Sequence, residues 1–459
     1  MAERFEIVEK ALIKMLEDKK YITLRDILLT MNPSDIAAIF TNLQENQIPL
    51  MFRLLGKEQA AETFVEMDPD AQEVLIRGFS DNELKEVLDE LYVDDAADIV
   101  EEMPANVVRR ILDHANPEMR KSINQILRYP EDSAGSIMTT EYVALLPNMT
   151  VEEAILSIRR QGVDKETIYT CYIIAADRTL LGLVSVKDLL LAQDDEMKLK
   201  DMMHTNIISV TTHTDQEKVA RMLSKYNVLA LPVVDGENRM VGIITFDDAM
   251  DVLTEEATED MELMSGMLPS EKAYMKSSVF ELVKNRVPWL MLLMLSSTFT
   301  GLIITSFEEA LAAQVALTAF IPMLMGTGGN SGSQSSVTVI RALSLGELKL
   351  ADAGLVIWKE LRTALICGLA LAVACFAKVW LIDHMLMGNG DITLWVNLVV
   401  CLALAVTVII AKVVGGILPM IVQAMGADPA VMASPFITTI VDAVSLLVYF
   451  MFAKMLLGV

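Results

Sequence analysis

The stretch FDDAMDVLTEEATEDME, residues 246–262, decides how this chain is organised, because it joins an acidic half to an apolar half. It carries eight carboxylates in seventeen positions. At helical spacings of three and four, these charges form stripes that repel one another. No Lys or Arg lies between Arg239 and Lys272. The compensating positive charge therefore has to come from outside this segment.

The distribution of charge separates the two halves. All of the net charge of −25 lies before residue 276, because the rest of the chain has ten basic and ten acidic residues. Such an acidic region attracts cations and repels phosphate backbones, so no nucleic acid is expected as a partner. The four histidines are scattered through the sequence, and no Ser, His or Cys constellation is recognisable. We therefore do not expect an enzyme.

The second half has the composition of a membrane domain. Five apolar runs are near the length that spans about 30 Å of hydrocarbon, at residues 286–306, 312–329, 352–382, 393–422 and 431–457. The connections on one side carry Lys284, Arg286, Arg341 and Lys349, whereas those on the other side carry no basic residue. The positive-inside rule predicts a multi-pass protein of the cell (inner) membrane, in contact with lipid, with cytoplasmic N-terminal domains and the C-terminus outside.

Residues 1–133 contain a repeat of 36 residues. The segments MNPSDIAAIF, MDPDAQEVLI and MPANVVRRIL begin at Met31, Met67 and Met103. Such a repeat predicts short amphipathic helices that stack in a superhelix. Within it, Asp94, Asp95 and Asp98 form an acidic group at helical spacing, which is either a solvated helix face or a contact for cations.

Residues 134–253 contain a second duplication. The segments that begin at Ile137 and Met202 align, as do those that begin at Tyr172 and Pro232. Each copy has the pattern of a strand, a helix, two β-branched strands and a helix. This arrangement resembles a tandem pair of cystathionine-β-synthase (CBS) domains, at residues 134–200 and 201–253.

The CBS resemblance implies a ligand. In such domains a glycine, a hydroxyl residue and an Asp at intervals of three can hold the ribose of an adenine nucleotide such as ATP. The matching positions are Gly182, Ser185 and Asp188 in the first copy and Gly242, Thr245 and Asp248 in the second. The alternative is a turn glycine followed by a helix-capping Asp.

The acidic segment is expected to be part of a long helix. We expect this helix to leave the second CBS copy and to reach the membrane near residue 280, with residues 254–277 as the connecting helix. Movement of the cytoplasmic domains would then be transmitted to the transmembrane domain at 278–459.

Asp442 lies in the middle of the last apolar run. A carboxylate near the bilayer centre costs roughly 2.5 kcal/mol or more, so it must face protein, water or an ion. The polar residues at helical spacing from it, and therefore expected to line a pore, are Thr438, Thr439 and Ser445. The alternative is a buried contact between helices, with Lys378 or Lys412 as the partner.

The stretch PMLMGTGGNSGSQSS, residues 322–336, is too polar to face lipid. Its small residues favour close helix packing. We also expect broken backbone here, so that carbonyl groups and the side chains of Asn330 and Gln334 line a hydrated passage.

Asp428 lies in the short inside connection before the last run, in GADPAVMASP. It is either the N-cap of the following helix, which begins with Pro429, or a carboxylate at the inner mouth of the pore.

The order of these features, together with GTGGNSGSQ and ITTIVDA, resembles the MgtE family of magnesium channels or transporters over essentially the whole chain. The resemblance implies an α-helical superhelical N-domain, an α/β tandem CBS pair, a long acidic connecting helix and an all-α, five-span transmembrane domain. It also implies a homodimer with one central pore that is gated by intracellular Mg²⁺.

The resemblance further assigns residues. It implies a pore carboxylate at Asp442 and a mouth carboxylate at Asp428. The regulatory Mg²⁺ ligands that it implies are Asp94, Asp98, Asp215, Glu217, Asp248, Asp251, Glu256, Glu259 and Asp260. One position departs from the family pattern, because Asn227 stands where some members have an acid, and this weakens one expected Mg²⁺ site.

The sequence thus predicts Mg²⁺ uptake that intracellular Mg²⁺ shuts off by bridging acidic cytosolic domains. Mg²⁺ is held by one or two carboxylates and keeps several waters, which suits these sites. Two alternatives stay open: a transporter of Mn²⁺, Co²⁺ or Ca²⁺, although the lack of His and Cys disfavours softer metals, and a membrane-bound Mg²⁺ sensor that conducts nothing.

Overall fold

The computed structural model describes residues 2–270, 274–275, 277–432 and 434–458. Residues 271–273 and 276 of the predicted connecting helix, and residue 433 of the predicted transmembrane domain, lie outside the described residues. The chain folds as two compact units, residues 1–253 and residues 254–459. They are called the first and second unit below.

Short helices form the N-terminal part of the first unit. They are α1 (Ala2–Glu17), α2 (Tyr21–Leu28), α3 (Pro33–Phe40), α4 (Ile48–Phe52), α5 (Lys57–Val65), α6 (Pro69–Gly78), α7 (Asp81–Leu88), α8 (Val93–Glu102), α9 (Ala105–His114) and α10 (Pro117–Ile126). The repeat is visible in their starts, because α3, α6 and α9 begin 36 residues apart. Asn32 and Asp68 cap equivalent helices, with their side chains accepting from Ser34 N and Ala71 N.

The stacking of these helices follows from their length. A helix of about ten residues is marginal alone and needs tertiary packing. Here α3, α5, α7 and α9 pack in succession, and one continuous apolar core runs from Leu12 to Ile126. The predicted superhelix is confirmed.

Two similar α/β modules complete the first unit. The first contains β1 (Tyr142–Leu145), α11 (Val151–Gln161), β2 (Thr167–Ile174), β3 (Leu180–Ser185) and α12 (Val186–Leu190). After α13 (Leu199–Met202), the second contains β4 (Val210–Thr211), α14 (Gln216–Tyr226), β5 (Ala230–Val234), β6 (Met240–Thr245) and α15 (Phe246–Met264). In each module the first two strands pair in parallel and the last two antiparallel. The predicted duplication is confirmed.

The two modules share a core. Tyr142 and Tyr172 of the first meet edge to face, with ring centroids 6.0 Å apart, and they pack with Met240 and Ile243 of the second. The backbone of Thr139 also pairs with that of Ile243. The modules therefore form one body within the first unit.

The acidic helix is shorter than predicted. Helix α15 ends at Met264, and Gly266 follows with φ of +71°. Met267 N donates to Glu262 O, and Gly266 N donates to Leu263 O, which is the Schellman pattern that ends helices at a left-handed glycine. The expectation of one helix to residue 280 is wrong, because the left-handed Gly266 ends the helix and Pro269 follows closely.

The second unit consists mainly of long apolar helices. They are α16 (Val279–Ser306), the short α17 (Glu308–Ala313), α18 (Ile321–Ser344), α19 (Ala353–Lys378), α20 (Leu394–Ala424) and α21 (Ser434–Leu457). A π-helical segment, Val379–Leu386, extends α19. Among the described residues, four helical stretches are long and apolar enough to cross a membrane: Val279–Ser306, Leu350–Leu386, Leu394–Ala424 and Pro435–Leu457.

The second predicted span differs from the structure. Residues 308–320 form α17 and a 3₁₀ turn, and the long helix α18 begins only at Ile321. The stretch GTGGNSGSQSS lies inside α18, so the expectation of broken backbone at this point is wrong. With 24 residues α18 is about 36 Å long, enough to span a bilayer. Because α18 is rich in Gly and Ser, its mean hydropathy is too low for it to count among the four apolar stretches named above.

The glycines of α18 serve close packing. A Cβ on Gly328 would lie 2.7 Å from Thr407 Cγ2 and 2.9 Å from Ser445 Oγ. A Cβ on Gly332 would lie 2.7 Å from Ile437 Cγ2. Helix α18 therefore packs against both α20 and α21 through its glycine face. The prediction of close packing is confirmed.

Candidate metal sites and candidate ion path

Helix α8 carries Asp94, the most buried carboxylate described in the first unit. Asp94 is only 6% exposed, and its Oδ1 has no hydrogen-bond partner among the described residues. Burial raises the pKa of Asp94 well above its usual range, and repulsion from Asp95 and Asp248 adds to this. Burial and repulsion from Asp95 also raise the pKa of Asp98, to about 8. The ionised forms of Asp94 and Asp98 are therefore unfavourable in this environment.

Carboxylates from the CBS modules surround α8. Burial raises the pKa of Asp95 to about 7, with further contributions from Asp248, Glu141 and Asp247. Glu166 has a pKa of about 8 for the same reasons, burial first and then repulsion from Asp248 and Asp95. Helix α8 of the superhelix and the start of α15 thus face one shared acidic cluster. We call Asp94, Asp95, Asp98, Glu141, Glu166, Asp247 and Asp248 the α8 cluster.

Glu141 also makes a direct contact with the end of α8. Its Oε2 accepts a hydrogen bond of 3.1 Å from Val93 N, the first backbone amide of that helix. The preceding residue, Tyr92, provides no side-chain cap. A carboxylate is favourable at a helix N-terminus because the free amides and the helix dipole are positive there. Glu141 therefore couples the first CBS module to the superhelix.

Sequence reasoning missed part of this cluster. Glu141 and Glu166 lie next to strands, at the start of β1 and just before β2, so they carry no helical periodicity that would relate them to α8. Asp247 belongs to the acidic segment 246–262, but nothing in its sequence context relates it to α8. The fold of the first unit brings these residues together, and no local signal identifies them as partners.

The oxygen atoms that the α8 cluster offers are of the kind that bind hard cations. All of its side chains offer carboxylate oxygens, which Mg²⁺ prefers, and one of them has an unsatisfied buried oxygen. In the described part of the chain, however, no three His, Cys, Asp or Glu side chains converge closely enough to enclose a metal ion. The carboxylates are close enough to repel one another but do not surround a common point. A Mg²⁺ ion that keeps its waters needs fewer direct ligands.

The other predicted regulatory residues lie in different settings. Asp215 caps α14, with its Oδ1 accepting from Lys218 N at 3.1 Å, and Glu217 forms an ion pair with Arg221. Burial and the neighbouring Asp247 raise the pKa of Asp251. The remaining three residues, Glu256, Glu259 and Asp260, lie on the part of α15 that belongs to the second unit.

Asn227 has a clear conformational role. It ends α14 with φ of +51° and ψ of +45°, and its backbone N–H donates to Leu223 O. Asn and Asp adopt this left-handed conformation more readily than most residues. The backbone therefore tolerates either residue here, and the difference between them is the charge.

The two predicted nucleotide motifs form similar turns with different electrostatics. Ser185 Oγ donates to Asp188 Oδ2 at 2.6 Å, and Thr245 Oγ1 donates to Asp248 Oδ2 at 2.5 Å. Hydrogen bonding to Ser185 lowers the pKa of Asp188, whereas burial raises that of Asp248.

Both motif glycines lie under a neighbouring segment. A Cβ on Gly182 would lie 2.6 Å from Met203 Sδ, and one on Gly242 would lie 2.6 Å from the Thr139 carbonyl oxygen. The glycines are therefore required for packing, and the Asp residues stabilise helix starts, as the alternative interpretation expected.

Asp442 lies on α21 in the second unit and is half-buried. Its Oδ1 is buried and has no hydrogen-bond partner among the described residues. Both proposed lysine partners are engaged elsewhere, because Lys378 Nζ binds Asp383 at 2.8 Å and Lys412 Nζ donates to Ser335 Oγ at 3.5 Å. The structure therefore gives no support to a contact between helices as the reason for this carboxylate.

The residues predicted to line the pore divide into two groups. Asn330 and Gln334 lie on the exposed face of α18, along an open groove whose other lining residues are Ser333, Val337 and Thr338. Thr438 packs beside Gly329, and Thr439 Oγ1 donates to Pro435 O. Ser445 is fully buried, and its hydroxyl donates to Val441 O beside Gly328. Ser445 is a packing residue in this chain, which corrects its prediction as pore-lining.

Asp428 is exposed and begins a 3₁₀ turn, Pro429–Met432. Its Oδ1 accepts from Ala430 N at 2.8 Å. This is the capping arrangement that the sequence allowed. The hydrogen bond uses Oδ1 of Asp428, and the second carboxylate oxygen, Oδ2, could contact a cation.

The fold matches known families along most of the chain. A family model described as the MgtE divalent cation transporter matches residues 321–452. Models of the MgtE intracellular N domain and of the CBS domain match residues 31–132, 134–195 and 199–255. The predicted fold class is confirmed.

Several relatives are known magnesium transporters. The magnesium transporter MgtE of Thermus thermophilus is 36% identical over 438 residues, which cover 95% of each chain. That of Bacillus subtilis is 32% identical and covers 96% of this chain and 95% of its own. Neither is named as an enzyme.

A solved structure supports the first unit. The cytosolic domain of the Mg²⁺ channel MgtE in complex with ATP is 36% identical, has a TM-score of 0.51 and covers 53% of this chain and 99% of its own length. Together with the apolar helices of the second unit, this similarity identifies a membrane protein with a cytosolic N-terminal region. Because the matches extend over nearly its whole length, the chain belongs to the MgtE family of magnesium transporters.

Proposed function

We propose that this chain transports Mg²⁺ into the cell and that Asp442 is the carboxylate that meets the ion. The observation that carries the proposal is the buried Oδ1 of Asp442, which lies in an apolar helix and has no hydrogen-bond partner in the described part of the chain. A carboxylate in such a place is costly unless it serves an ion or a proton. The membrane potential supplies the drive, since an inward divalent ion gains roughly 4.6 kcal/mol per 100 mV.

The transporting form is a homodimer in this proposal. Asn330 and Gln334 form an exposed polar face on a helix long enough to span the membrane, and such a face is unfavourable against lipid. A second copy across this face would enclose a polar passage. Two Asp442 carboxylates would then hold one hydrated Mg²⁺ without removing all of its waters. With α18 counted, the domain has five spans and an outside C-terminus.

Intracellular Mg²⁺ closes the transporter through the acidic cluster. The α8 cluster joins the superhelix to the CBS modules within the first unit, and its carboxylates are unfavourable as bare anions. Mg²⁺ between them lowers this repulsion and stabilises the compact arrangement. When Mg²⁺ is scarce, the repulsion returns and the domains separate. Asp215, Glu217 and Asp251, the acidic residues of α15 and Asp428 would add further Mg²⁺ contacts.

The first CBS copy is the better nucleotide site. Asp188 is an ionised, partly exposed carboxylate with His204 Nε2 at 3.5 Å, and Lys187 beside it is exposed. Asp248 instead belongs to the α8 cluster, whose negative charge repels phosphates. We therefore assign an adenine nucleotide such as ATP to Gly182, Ser185 and Asp188 and not to Gly242, Thr245 and Asp248.

The transport proposal is tested with Asp442→Asn, which keeps the shape and removes the charge. We expect Mg²⁺ flux into liposomes, followed with an enclosed dye, to fall at least about tenfold, because one ion contact is worth more than 1.4 kcal/mol. Asp352→Asn, the same change at the start of α19, is the control and should keep wild-type flux. Equal flux in both variants would falsify the role of Asp442, and no flux in the wild type would favour a non-conducting sensor.

The regulatory proposal is tested at Asn227. Asn227→Asp adds a carboxylate without strain at the left-handed position, so less Mg²⁺ should suffice to protect the chain from proteolysis near residue 260. The expected shift in the half-protecting concentration is about threefold to tenfold, which corresponds to about 0.7–1.4 kcal/mol. Asn238→Asp, at another positive-φ asparagine, is the matched control. Identical shifts in both variants would point to general charge and not to a site.

The α8 cluster also predicts a pH dependence without Mg²⁺. Asp95, Asp98 and Glu166 have folded-state pKa values of about 7 to 8, above those of the unfolded chain. The folded state then binds more protons between about pH 4 and 8, so its stability falls as the pH rises through that window. In EDTA, the thermal unfolding midpoint of the first unit should be lower at pH 8.5 than at pH 6, and Mg²⁺ should restore it.

Asp98→Asn supplies the comparison for the pH experiment. The amide resembles the protonated acid, so this variant should have a higher midpoint than wild type in EDTA at pH 8.5 and a smaller pH effect. Asp70→Asn, on the exposed side of α6, should behave as wild type. A midpoint that is independent of pH in wild type contradicts the electrostatic account.

The nucleotide assignment is tested by equilibrium binding of ATP to the full chain. Asp188→Asn should weaken binding about tenfold, since a carboxylate hydrogen bond to a ribose hydroxyl is worth about 1.5 kcal/mol or more. Asp248→Asn removes a repelling charge from the other module and should not weaken it. The reverse ranking would place the nucleotide in the second copy.

A further inference from the structure

A buried charged network crosses three helices of the second unit. Lys412 of α20 is only 6% exposed, and Ser335 of α18 is 3% exposed. Lys412 Nζ donates to Ser335 Oγ at 3.5 Å, and Ser335 Oγ donates to Glu360 Oε2 of α19 at 2.6 Å. The serine hydroxyl thus stands between a cation and an anion and is satisfied as donor and acceptor.

Breaking the hydrogen bonds of this network would be energetically costly. A lysine buried within an apolar helix is unfavourable unless a polar group or an opposite charge meets it. If Glu360 is neutralised alone, Lys412 is left as an uncompensated buried charge, and if Lys412 is neutralised alone, the half-buried Glu360 loses its cation. Breaking such a pair on one side costs more than the pair contributes. The network therefore favours one arrangement of the three helices.

Glycines next to Lys412 allow the neighbouring helices to approach closely around the network. Lys412, Gly415 and Gly416 share one face of α20 because they are three and four residues apart. A Cβ on Gly416 would lie 3.0 Å from Glu360 Cγ, and one on Gly415 would overlap the Gly332 carbonyl oxygen of α18. Both glycines let α18 and α19 approach the lysine.

The network also fixes the rotation of α18 about its axis. Ser335 points into the bundle, while Gln334, the adjacent residue, and Asn330, one turn away, are exposed. Successive residues of a helix differ by about 100° in direction, so holding Ser335 inward keeps Gln334 and Asn330 turned roughly 100° and 140° away from it, on the exposed face. A rotation of one residue would bring Ser336, now fully buried, toward that side.

We propose that Lys412 and Glu360 are positioning residues for transport, which hold α18 through Ser335 so that Asn330 and Gln334 face the ion path. The inference rests on the proposed function of that path. Neither residue touches the ion. Their effect is on the rotation of the helix that carries the polar side chains.

The experiment measures that rotation by thiol modification in full-length protein. Gln334→Cys and Ser336→Cys are made separately, each in the otherwise native chain. A charged, membrane-impermeant methanethiosulfonate is the probe. The native cysteines are buried or half-buried, so the reaction of the unmutated chain gives the background. The Gln334→Cys thiol should react at least about tenfold faster than the Ser336→Cys thiol, in proportion to their exposure.

The network is then altered in each background. Lys412→Met should slow modification at position 334 about fivefold and accelerate it at position 336, with a parallel loss of Mg²⁺ flux. Lys412→Arg keeps the charge and should retain most of the wild-type difference. Combining Lys412→Met with Glu360→Gln leaves no buried charge, so the pair should be less damaging than the two single changes added together.

Gel filtration and thermal unfolding separate rotation from misfolding. If Lys412→Met does not fold, the Arg variant and the neutral pair decide the question. Unchanged rates at both positions in all folded variants overturn the inference. If wild-type flux is absent while the rates shift as expected, the positioning role stands and the proposed ion path fails.

Discussion

The first unit depends on the electrostatic cost of carboxylates that are buried close together. Desolvation and mutual repulsion act in the same direction, so the pKa values of Asp94, Asp98 and Glu166 rise. Such a cluster would be eliminated from a protein that needed only stability, because apolar residues of similar size would pack there without cost. Its presence is the basis of our proposal that this arrangement responds to a cation. Glu141, which caps α8, adds a favourable contact between the superhelix and the first CBS module.

The second unit is subject to a different constraint, because polar residues have to be packed in an apolar environment. The glycines of α18 allow close approach on one side, and this approach buries Ser331, Ser335 and Ser336. The remaining polar residues of the same helix are forced to the other side. A single amphipathic helix thus separates the packing surface from the proposed ion path, without any break in its backbone. In the proposed function, Asp442 on the neighbouring α21 supplies the charge of that path.

Sequence reasoning succeeded where the signal was periodic. The repeat of 36 residues, the duplicated strand order and the apolar runs all reflect local patterns that recur, and the structure reproduces them. It failed where two local signals competed. In the segment after Met264, helical charge spacing outweighed the stop signal of Gly266, and in α18 the Gly-rich composition suggested loop although neighbouring helices stabilise it as helix. Intrinsic propensity is a weak guide where tertiary packing can override it.

The candidate sites show the same division. The sequence by itself indicated a hard cation as the ligand, because carboxylates without His or Cys suit such ions, and it placed one carboxylate, Asp442, within an apolar run. Only the tertiary structure decided which carboxylates meet, since Glu141 and Glu166 come from strand ends far from α8 in the chain. Likewise only the packing decided that Ser445 is buried and that Lys412 binds Ser335. It also leaves Asp442 Oδ1 without a hydrogen-bond partner among the residues that the structure describes. The physical reason is that charge and hydropathy are properties of each residue, whereas burial and pairing are properties of the neighbours that the fold provides.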